Sequence, residues 1–280
     1  MKISLVTGAS SGLGREIVKL LCGKGHIVYA VARRKEKLEK LKQECVRKGK
    51  VRPIVGDLSN HYFREKLIFE ILKEAGRIDY LINNAGFGRA IKLENMKTRE
   101  IHTMLEVNVA AYEHLTSLTL RDMKKRNAGR IINIGSVVVF TPLPYFTVYN
   151  STKAAVYTFN RALRYELNGL NVTSTVVLPA RMKTGFADVA FDCYEKDGKK
   201  ICVEKFNKIG GDPIKVAENI VENIDKGKEV ITPTFKAKLW YFSRYFGFIV
   251  DFAMNYILGP KELKSLDGIE LKKDYIEERK

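Results

Sequence analysis

The sequence predicts an α/β fold, a doubly wound parallel sheet in a single domain. Three observations lead to that prediction. Strand-like and helix-like patterns alternate six times between Ile3 and Leu178. Glycine-rich or polar segments follow the predicted strands, at the edge where parallel sheets bind ligands. The 280 residues are 45% hydrophobic and 29% charged, which suits one large folded domain. We expect right-handed crossovers and helices on both faces of the sheet.

Each element has its own local signal. Predicted strands are short apolar runs that end at Gly, Asp or Asn, and predicted helices carry apolar residues three and four positions apart. The predicted strands are Ile3–Val6, Ile27–Val31, Val51–Val55, Ile78–Ile82, Arg130–Ile134, Val172–Leu178 and Glu229–Ile231. The predicted helices are Leu13 to about Gly23, Lys35–Lys48, Asn60–Glu74, Thr98–Arg126, Val148–Leu167 and Pro213 to about Lys226.

A glycine-rich turn separates the first strand from the first helix. Gly8, Gly12 and Gly14 let the backbone turn tightly and approach a bound group closely. The helix that follows offers unpaired N–H groups and the positive end of its dipole, which bind a pyrophosphate. A purely structural turn is the alternative, but a dinucleotide-binding motif requires this strand–turn–helix context. The turn therefore predicts nucleotide binding.

The end of the second predicted strand is expected to select the nucleotide. A carboxylate there would bind the ribose diol of NAD, whereas this chain has Ala32-Arg33-Arg34. Arg33 suits a 2′-phosphate, which a guanidinium binds with charge-assisted hydrogen bonds, and Ser10 would assist it. The alternative is that both arginines are solvated loop residues. The pattern favours NADP over NAD.

Tyr149 and Lys153 lie four residues apart on a predicted helix, and they therefore share one face. An ammonium beside a phenol favours the phenolate, so we expect the tyrosine pKa to fall from ~10 toward the working pH. Such a tyrosine can act as a general acid or base. The pair alone carries little weight because this spacing often occurs by chance. Ser136, upstream of the pair, strengthens the interpretation.

From about residue 2 to residue 185 the sequence closely resembles the short-chain dehydrogenase/reductase family. The matching segments are Thr7–Gly14, Asp57, Asn83–Gly86, Asn108, Ser136, Tyr149 and Lys153. Residues Pro179 to Thr184 match the nicotinamide-side loop of the family, except that Ala180 stands where the family usually has glycine. The resemblance implies a Rossmann-like fold, NADP (or, less favoured, NAD) as cofactor, and interconversion of a carbonyl and an alcohol.

The resemblance also implies a role for each site residue. Tyr149 would exchange a proton with the substrate oxygen, which Ser136 would hydrogen-bond. Lys153 would lower the Tyr149 pKa and bind the nicotinamide ribose, and Asn108 would hold a water that links Lys153 to solvent. Asp57 would bind adenine. The implied cofactor-binding residues are Gly8, Ser10, Ser11, Gly12, Leu13, Gly14, Arg33, Asp57, Leu58, Asn84, Ala85, Gly86, Tyr149, Lys153, Pro179 and Thr184. Helix capping by Asp57 and a turn role for Asn84 are the alternatives.

The formal net charge of +17 suggests nucleic acid, anionic lipid or an anionic small molecule as a partner. The positive residues are scattered without interleaved aromatics, so nucleic-acid binding is not predicted. Cys22, Cys45, Cys193 and Cys202 form no Cys-x-x-Cys pair and have no histidine at ligand spacing. We therefore expect free thiols, a cytoplasmic protein and no metal site. The strand at Ile3 leaves no room for a signal peptide.

Two regions are expected to lie outside the core of the nucleotide-binding domain, which we place at residues 1–235. A charged segment at about 185–212 is expected to form a substrate lid. Its aromatic residues either line an apolar pocket or pack on the scaffold; they are Phe186, Phe191, Tyr194 and Phe206. Residues 236–280 are expected to form an apolar helical segment followed by a charged tail.

Residues 239–258 are rich in aromatic and apolar side chains and approach the ~20 residues that span a bilayer. Arg244, Asp251 and Asn255 argue against a spanning helix. Three interpretations remain. The segment contacts a membrane surface, which would make the cytoplasmic protein membrane-associated, or it forms the interface of a homodimer or homotetramer, or it covers the substrate pocket.

The sequence therefore predicts an NADP(H)-dependent oxidoreductase, a carbonyl reductase that acts on a small-molecule ketone, aldehyde or alcohol. The apolar C-terminal segment favours a hydrophobic substrate such as a ketosteroid or ketolipid. A non-catalytic NADP-binding sensor or scaffold is the alternative. The complete set of Asn108, Ser136, Tyr149 and Lys153 argues against that alternative.

Overall fold

The computed structural model describes residues 1–46, 50–186, 190, 194–196, 199–201 and 210–247. The strands are β1 (Ile3–Thr7), β2 (Ile27–Ala32), β3 (Lys50–Val55), β4 (Tyr80–Asn83), β5 (Gly129–Ile134), β6 (Val172–Val177), β7 (Tyr194–Lys196), β8 (Lys199–Ile201) and β9 (Val230–Ile231). The helices are α1 (Gly12–Gly23), α2 (Lys35–Cys45), α3 (His61–Ala75), α4 (Thr98–Leu105), α5 (Ala111–Lys125), α6 (Thr147–Glu166), α7 (Pro213–Asn223) and α8 (Phe235–Phe242).

The main sheet has the order β3-β2-β1-β4-β5-β6-β9, and every neighbouring pair is parallel. The prediction of a doubly wound parallel sheet is therefore confirmed. The strand order reverses direction between β1 and β4, and the loops after two such strands diverge and leave a crevice. The glycine-rich turn follows β1 and the segment Asn84–Gly86 follows β4, so both predicted motifs border that crevice.

Alternate residues of the central strands supply two hydrophobic cores, one on each face of the sheet. On one face, Leu5 of β1 is fully buried among side chains of α3, α5 and α6. On the other face, Val6 is fully buried among side chains of α1, α2 and α7. Burial on both faces explains why the central strands carry apolar residues on both sides rather than in alternation, although buried polar residues such as Ser4 and Asn133 lie among them.

The predicted long helix Thr98–Arg126 is interrupted in the structure. It consists of α4, a π-helical turn at Glu106–Ala110, and α5. A π turn fits one extra residue into the helix and frequently occurs at functional sites. Here it carries Asn108, whose side chain is fully buried.

The chain divides into two compact units, Met1–Tyr241 and Phe242–Lys280. In the predicted lid, β7 and β8 form an antiparallel pair with Tyr194 opposite Ile201. Other parts of the predicted lid, including Phe191 and Phe206, lie outside the described residues, as does the part of the predicted 239–258 segment beyond residue 247. Among the helices that the structure describes, none combines the length and the hydropathy needed to cross a bilayer.

Two of the four cysteines fall within the described part of the chain. Cys22 and Cys45 are buried, and the Cys22 Sγ lies 3.7 Å from the Cys45 carbonyl oxygen. Cys193 and Cys202 lie outside the described residues.

Candidate active site

The glycine-rich turn between β1 and α1 has the backbone that its sequence predicts. Gly8 and Gly12 have positive φ angles of 66° and 55°, a region that residues with a side chain rarely adopt. Gly14 is required for a different reason. A Cβ added there would lie 2.6 Å from the Gly8 carbonyl oxygen, closer than atoms that are not bonded can approach. The turn therefore has no room for a side chain at this position.

Thr7 and Asn84 join the turn after β1 to the segment after β4. Thr7 Oγ1 accepts hydrogen bonds from the backbone N–H groups of Asn84 at 2.9 Å and Ala85 at 3.0 Å. The Asn84 side-chain amide donates to the Thr7 carbonyl oxygen at 2.9 Å. Asn84 thus has the turn role that we considered as the alternative, and its contact with nucleotide stays a prediction. Thr7 was not among the predicted site residues, although its position directly before Gly8 is a usable signal.

The N-terminus of α1 has no side chain that caps it. Ser11 is the N-cap residue, yet its hydroxyl makes no hydrogen bond to the helix, and the first turn contains no acidic residue. Instead the hydroxyl accepts a hydrogen bond from Arg34 Nη2 at 2.6 Å. The first N–H groups and the positive end of the helix dipole therefore remain available to an anion. These features fit the pyrophosphate of a dinucleotide.

The two arginines after β2 occupy different positions. The Arg33 side chain is 76% exposed, and its Nη1 lies 4.0 Å from Asp57 Oδ2. Arg34 donates to Ser10 Oγ at 2.9 Å as well as to Ser11, so its guanidinium lies over the glycine-rich turn. Arg34 was not a predicted site residue. Both arginines place positive charge at the end of β2, where the adenine-side ribose of a dinucleotide is expected.

Asp57 and Leu58 follow β3. Asp57 Oδ1 accepts hydrogen bonds from the backbone N–H and the hydroxyl of Ser59, both at 2.9 Å. Helix α3 is capped by Asn60, whose side chain accepts from the Phe63 N–H. The alternative that Asp57 caps this helix is therefore wrong, and adenine binding stays a prediction. Leu58 is buried in the hydrophobic core on the face of the sheet that α3, α5 and α6 cover.

Ser136, Tyr149 and Lys153 lie together beyond the carboxyl end of β5. Ser136 precedes a short 3-10 turn, and its Oγ accepts the Val138 N–H at 3.3 Å. The Ser136 side chain also neighbours the Tyr149 phenol and favours its ionised form. Lys153 Nζ donates to the Ile134 carbonyl oxygen at 2.8 Å and lies 5.7 Å from the centroid of the Tyr149 ring. The structure therefore brings these three predicted residues into one cluster.

Asn108 joins this cluster from the π-helical turn. Its amide donates to the Phe87 carbonyl oxygen at 2.8 Å and to Thr152 Oγ1 at 3.1 Å, and its Oδ1 accepts the Phe87 N–H at 3.0 Å. A Cβ added to Gly86 would lie 3.2 Å from Asn108 Oδ1 and 3.6 Å from Lys153 Nζ. Asn108 is therefore a positioning residue that holds the segment after β4 against α6. Its predicted role in holding a water stays a prediction.

Aromatic rings and a glycine surround the Tyr149 ring. The ring centroids of Phe186 and Phe146 lie 5.3 Å and 5.9 Å from the Tyr149 centroid. A Cβ added to Gly88 would lie 3.0 Å from the Phe186 ring and 3.1 Å from the Tyr149 ring. Phe186, at the start of the predicted lid, is thus an apolar neighbour of Tyr149. Gly88 and Phe146 were missed because nothing in their local sequence indicates a site.

The loop after β6 contains Pro179 and Thr184. It lies between the cluster at Ser136 and the glycine-rich turn. The Pro179 carbonyl oxygen accepts the Val137 N–H at 3.3 Å, beside Ser136. A Cβ added to Gly12 would meet the Thr184 side chain at 3.3 Å. The loop therefore extends from the serine to the glycine-rich turn, as the predicted nicotinamide-side loop requires.

Burial shifts the pKa of both ionisable groups in the cluster. Burial raises the pKa of Tyr149 to about 12, although the neighbouring Ser136 side chain opposes that change. Burial lowers the pKa of Lys153 to about 8. The predicted fall of the tyrosine pKa is wrong for this structure. A phenolate loses its hydration when it is buried, and here that loss outweighs the stabilisation that its neighbours supply.

The lowered Lys153 pKa predicts a pH dependence of stability. The unfolded chain holds the lysine proton up to ~10.4, whereas the folded protein releases it near 8, so the unfolded state binds more protons between these values. The free energy of unfolding should therefore rise by about 2 kcal/mol from pH 7 to pH 9.5 through this residue alone. Lys153→Met should lack the rise. Urea unfolding at both pH values measures it, with Lys19→Met, at a partly exposed site, as control. Equal pH dependence of the wild type and Lys153→Met would contradict the prediction.

Residues 2–193 match the sequence profile of the family described as short chain dehydrogenase. The 3-oxoacyl-[acyl-carrier-protein] reductase of Haemophilus influenzae is 37% identical over 191 residues, which cover 68% of this chain and 78% of that protein. The 11-beta-hydroxysteroid dehydrogenase-like 3 of Arabidopsis thaliana is 30% identical over 260 residues, which cover 91% of this chain and 81% of that protein. The similarity to the second relative extends beyond the nucleotide-binding core.

Solved structures share the fold and were determined with either nucleotide. A closed form of serine dehydrogenase complexed with NADP+ is 33% identical, with a TM-score of 0.70 over 79% of this chain and 88% of that one. A short chain dehydrogenase/reductase from Burkholderia phymatum in complex with NAD is 22% identical, with a TM-score of 0.76 over 88% and 94%. At 22% identity, the likeness to the Burkholderia phymatum structure shows only that the two chains share a fold. The choice of nucleotide therefore depends on residues of this chain.

Proposed function

This chain belongs to the short-chain dehydrogenase/reductase family of oxidoreductases, and on that premise we propose that it is an NADP(H)-dependent enzyme that interconverts a ketone or aldehyde and an alcohol. The observation that carries the proposal is the cluster of Ser136, Tyr149 and Lys153, in which the lysine Nζ lies 5.7 Å from the centroid of the Tyr149 ring and Ser136 neighbours the phenol. The bound nucleotide would supply or accept the hydride. The glycine-rich turn and the free N-terminus of α1 would hold its phosphates.

The protonation states of the cluster support reduction near neutral pH. In reduction the substrate oxygen gains negative charge. Tyr149, with a pKa of about 12, keeps its proton at neutral pH and can donate it to that oxygen. Ser136 would donate a second hydrogen bond to the same oxygen. Lys153, with a pKa of about 8, is mostly charged at neutral pH. It would stabilise the phenolate that forms when Tyr149 gives up its proton.

NADP is proposed over NAD because of the charges after β2. Arg34 is hydrogen-bonded to Ser10 and Ser11, and Arg33 lies next to it in the sequence. Two guanidinium groups and two hydroxyls at this position fit a 2′-phosphate better than an uncharged ribose diol. The NADP+ complex of the related serine dehydrogenase agrees with this choice.

Arg34→Ala should raise the dissociation constant of NADPH by about tenfold or more and change that of NADH little. The two nucleotides differ only in the 2′-phosphate, and a hydrogen bond to a charged group contributes about 1.5–3 kcal/mol. Arg33→Ala should act in the same direction. Fluorescence titration of both reduced nucleotides measures the effect. Arg52→Ala, at an exposed ion pair on β3, is the matched control. Equal weakening of both nucleotides would contradict the NADP assignment.

An apolar carbonyl compound, such as a ketosteroid or a ketolipid, is the proposed substrate class. Phe186 and Phe146 flank the Tyr149 ring and would present apolar surface to a molecule whose oxygen reaches the tyrosine. The names of the two relatives refer to 3-oxoacyl groups and hydroxysteroids, which are hydrophobic carbonyl or alcohol compounds. Membership of the family also favours a homodimer or homotetramer, which native mass spectrometry tests.

Turnover of a ketone panel tests the proposal. The full chain is mixed with NADPH and, in separate reactions, a 3-ketosteroid, a 3-oxoacyl thioester and a small polar ketone, and the loss of NADPH absorbance is followed. We expect kcat/KM to be higher for the hydrophobic ketones. Tight NADPH binding without turnover of any compound in the panel would instead support the non-catalytic sensor or scaffold.

A further inference from the structure

Helix α8 carries an exposed apolar stripe. Phe235 and Leu239 lie at positions i and i+4, and they therefore share one face of the helix. Their side chains are 81% and 59% exposed, which is high for two neighbouring large apolar residues. We call these two residues the α8 stripe.

The opposite face of α8 fixes the helix to the domain. Ala237 is fully buried in a small cluster that includes Val137 and Leu178. The Tyr241 ring meets the Phe140 ring edge-on at 5.6 Å, and Phe140 follows the turn that Ser136 begins. The helix is therefore packed on the scaffold by one face while it presents the stripe on the other.

Positive charges flank the stripe on both sides. At 100° per residue, Lys236 lies on one side of Phe235 and Lys238 on the other, and both are exposed. The segment Thr232–Gly247 contains Arg244 besides these two lysines and has no Asp or Glu. Lysine stems can lie along an apolar surface while their ammonium groups reach outward to anionic groups.

We propose that the α8 stripe binds an anionic lipid surface, with the helix lying in the plane of the interface. Large apolar side chains on one face, flanked by lysines, are the pattern of interfacial helices. A second copy of this chain fits less well. Two-fold pairing through the stripe would bring Lys236 and Lys238 of one copy close to the same lysines of the other, and like charges repel. The proposed surface begins at Phe235, before the predicted 239–258 segment.

Vesicle co-sedimentation tests the proposal with the full chain. Wild-type protein should bind vesicles of phosphatidylcholine and phosphatidylserine more tightly than vesicles of phosphatidylcholine alone. Phe235→Ser with Leu239→Ser should weaken the binding at least about tenfold, because two large apolar side chains no longer enter the lipid. Phe69→Ser is the matched control, since Phe69 is 62% exposed on α3, and it should bind as the wild type does.

Charge and fluorescence give two further readouts. Lys236→Glu with Lys238→Glu should weaken binding to the phosphatidylserine vesicles about tenfold or more, and added salt should weaken the wild type in the same direction. Trp240 is the only tryptophan of the sequence, so its emission reports on α8 directly. We expect a blue shift when wild-type protein meets the phosphatidylserine vesicles.

Several outcomes would overturn the proposal. The first is a wild-type protein that does not bind the vesicles, and the second is equal binding by the wild type and the Phe235→Ser, Leu239→Ser variant. A lower native mass of that variant, with no lipid binding by the wild type, would assign the stripe to a second copy and would also overturn it. Unchanged NADPH affinity of the variant confirms that it folds. No ketone enters the vesicle assay, so its failure is distinguishable from failure of the proposed catalysis.

Discussion

Tyr149→Phe is expected to lower the rate of NADPH-dependent ketone reduction by about 10²–10⁴-fold, the range that general acid catalysis supplies. Phenylalanine keeps the ring that packs beside Phe186 and Phe146, but it has no proton to donate. The variant should therefore fold normally and bind NADPH with nearly unchanged affinity. The loss should appear in kcat rather than in nucleotide binding.

A second tyrosine on the same helix provides the control for this prediction. Tyr157 also lies on α6, and its ring packs edge-on against Phe140 at 5.3 Å. Tyr157→Phe removes a hydroxyl of the same kind outside the cluster of Ser136, Tyr149 and Lys153, so its activity should stay close to that of the wild type. Steady-state kinetics, NADPH titration and thermal unfolding of both variants make the comparison. Substantial reductase activity in Tyr149→Phe would refute the assignment of Tyr149 as the acid.

The sheet and its ligand-binding edge were predictable because they depend on local patterns. Strands buried on both faces are mostly apolar, and the helices between them must bury one side, so hydrophobic periodicity in the sequence reports the fold directly. The glycine-rich turn was predictable for the same reason. The backbone of the turn needs a positive φ at positions 8 and 12, and a glycine at each position meets that need.

The π-helical turn was not predictable, because tertiary contacts produce it. The segment Glu106–Ala110 contains no proline or glycine that would interrupt a helix. What stabilises the extra residue is the buried amide of Asn108, which makes three hydrogen bonds to Phe87 and Thr152 on other segments. Partners so distant in the sequence leave no periodic signal, so the pattern indicated one continuous helix.

The direction of the Tyr149 pKa shift was mispredicted from the sequence for a similar reason. Spacing shows that Tyr149 and Lys153 share a helix face, but the direction of each pKa shift depends on how completely the site is buried. The two arginines illustrate the same limit. Adjacent side chains of an extended segment point to opposite sides, and only the position of the glycine-rich turn decides that Arg34 faces Ser10.

Gly14→Ala is expected to lower both the affinity for NADPH, by about tenfold or more, and the free energy of unfolding, by about 1–3 kcal/mol. The added methyl would lie 2.6 Å from the Gly8 carbonyl oxygen, and a backbone atom cannot rotate away as a side chain would. The turn must move instead, and Asn84 and Thr7 must move with it because they hydrogen-bond this turn to β4. Displacement of the turn would withdraw the N–H groups that the phosphates are expected to meet.

Gly23→Ala is the matched control, since it makes the same change at the other end of α1. A Cβ added at Gly23 has no atom within 4 Å, and alanine is the better helix former by up to about 1 kcal/mol. This variant should bind NADPH as the wild type does and should be equally or slightly more stable. Nucleotide titration and urea unfolding of the two variants separate the possibilities. If both substitutions changed the NADPH affinity and the free energy of unfolding alike, the close contact at Gly14 would not explain why the turn needs glycine there. The proposal that this turn binds the pyrophosphate would then lose its physical basis.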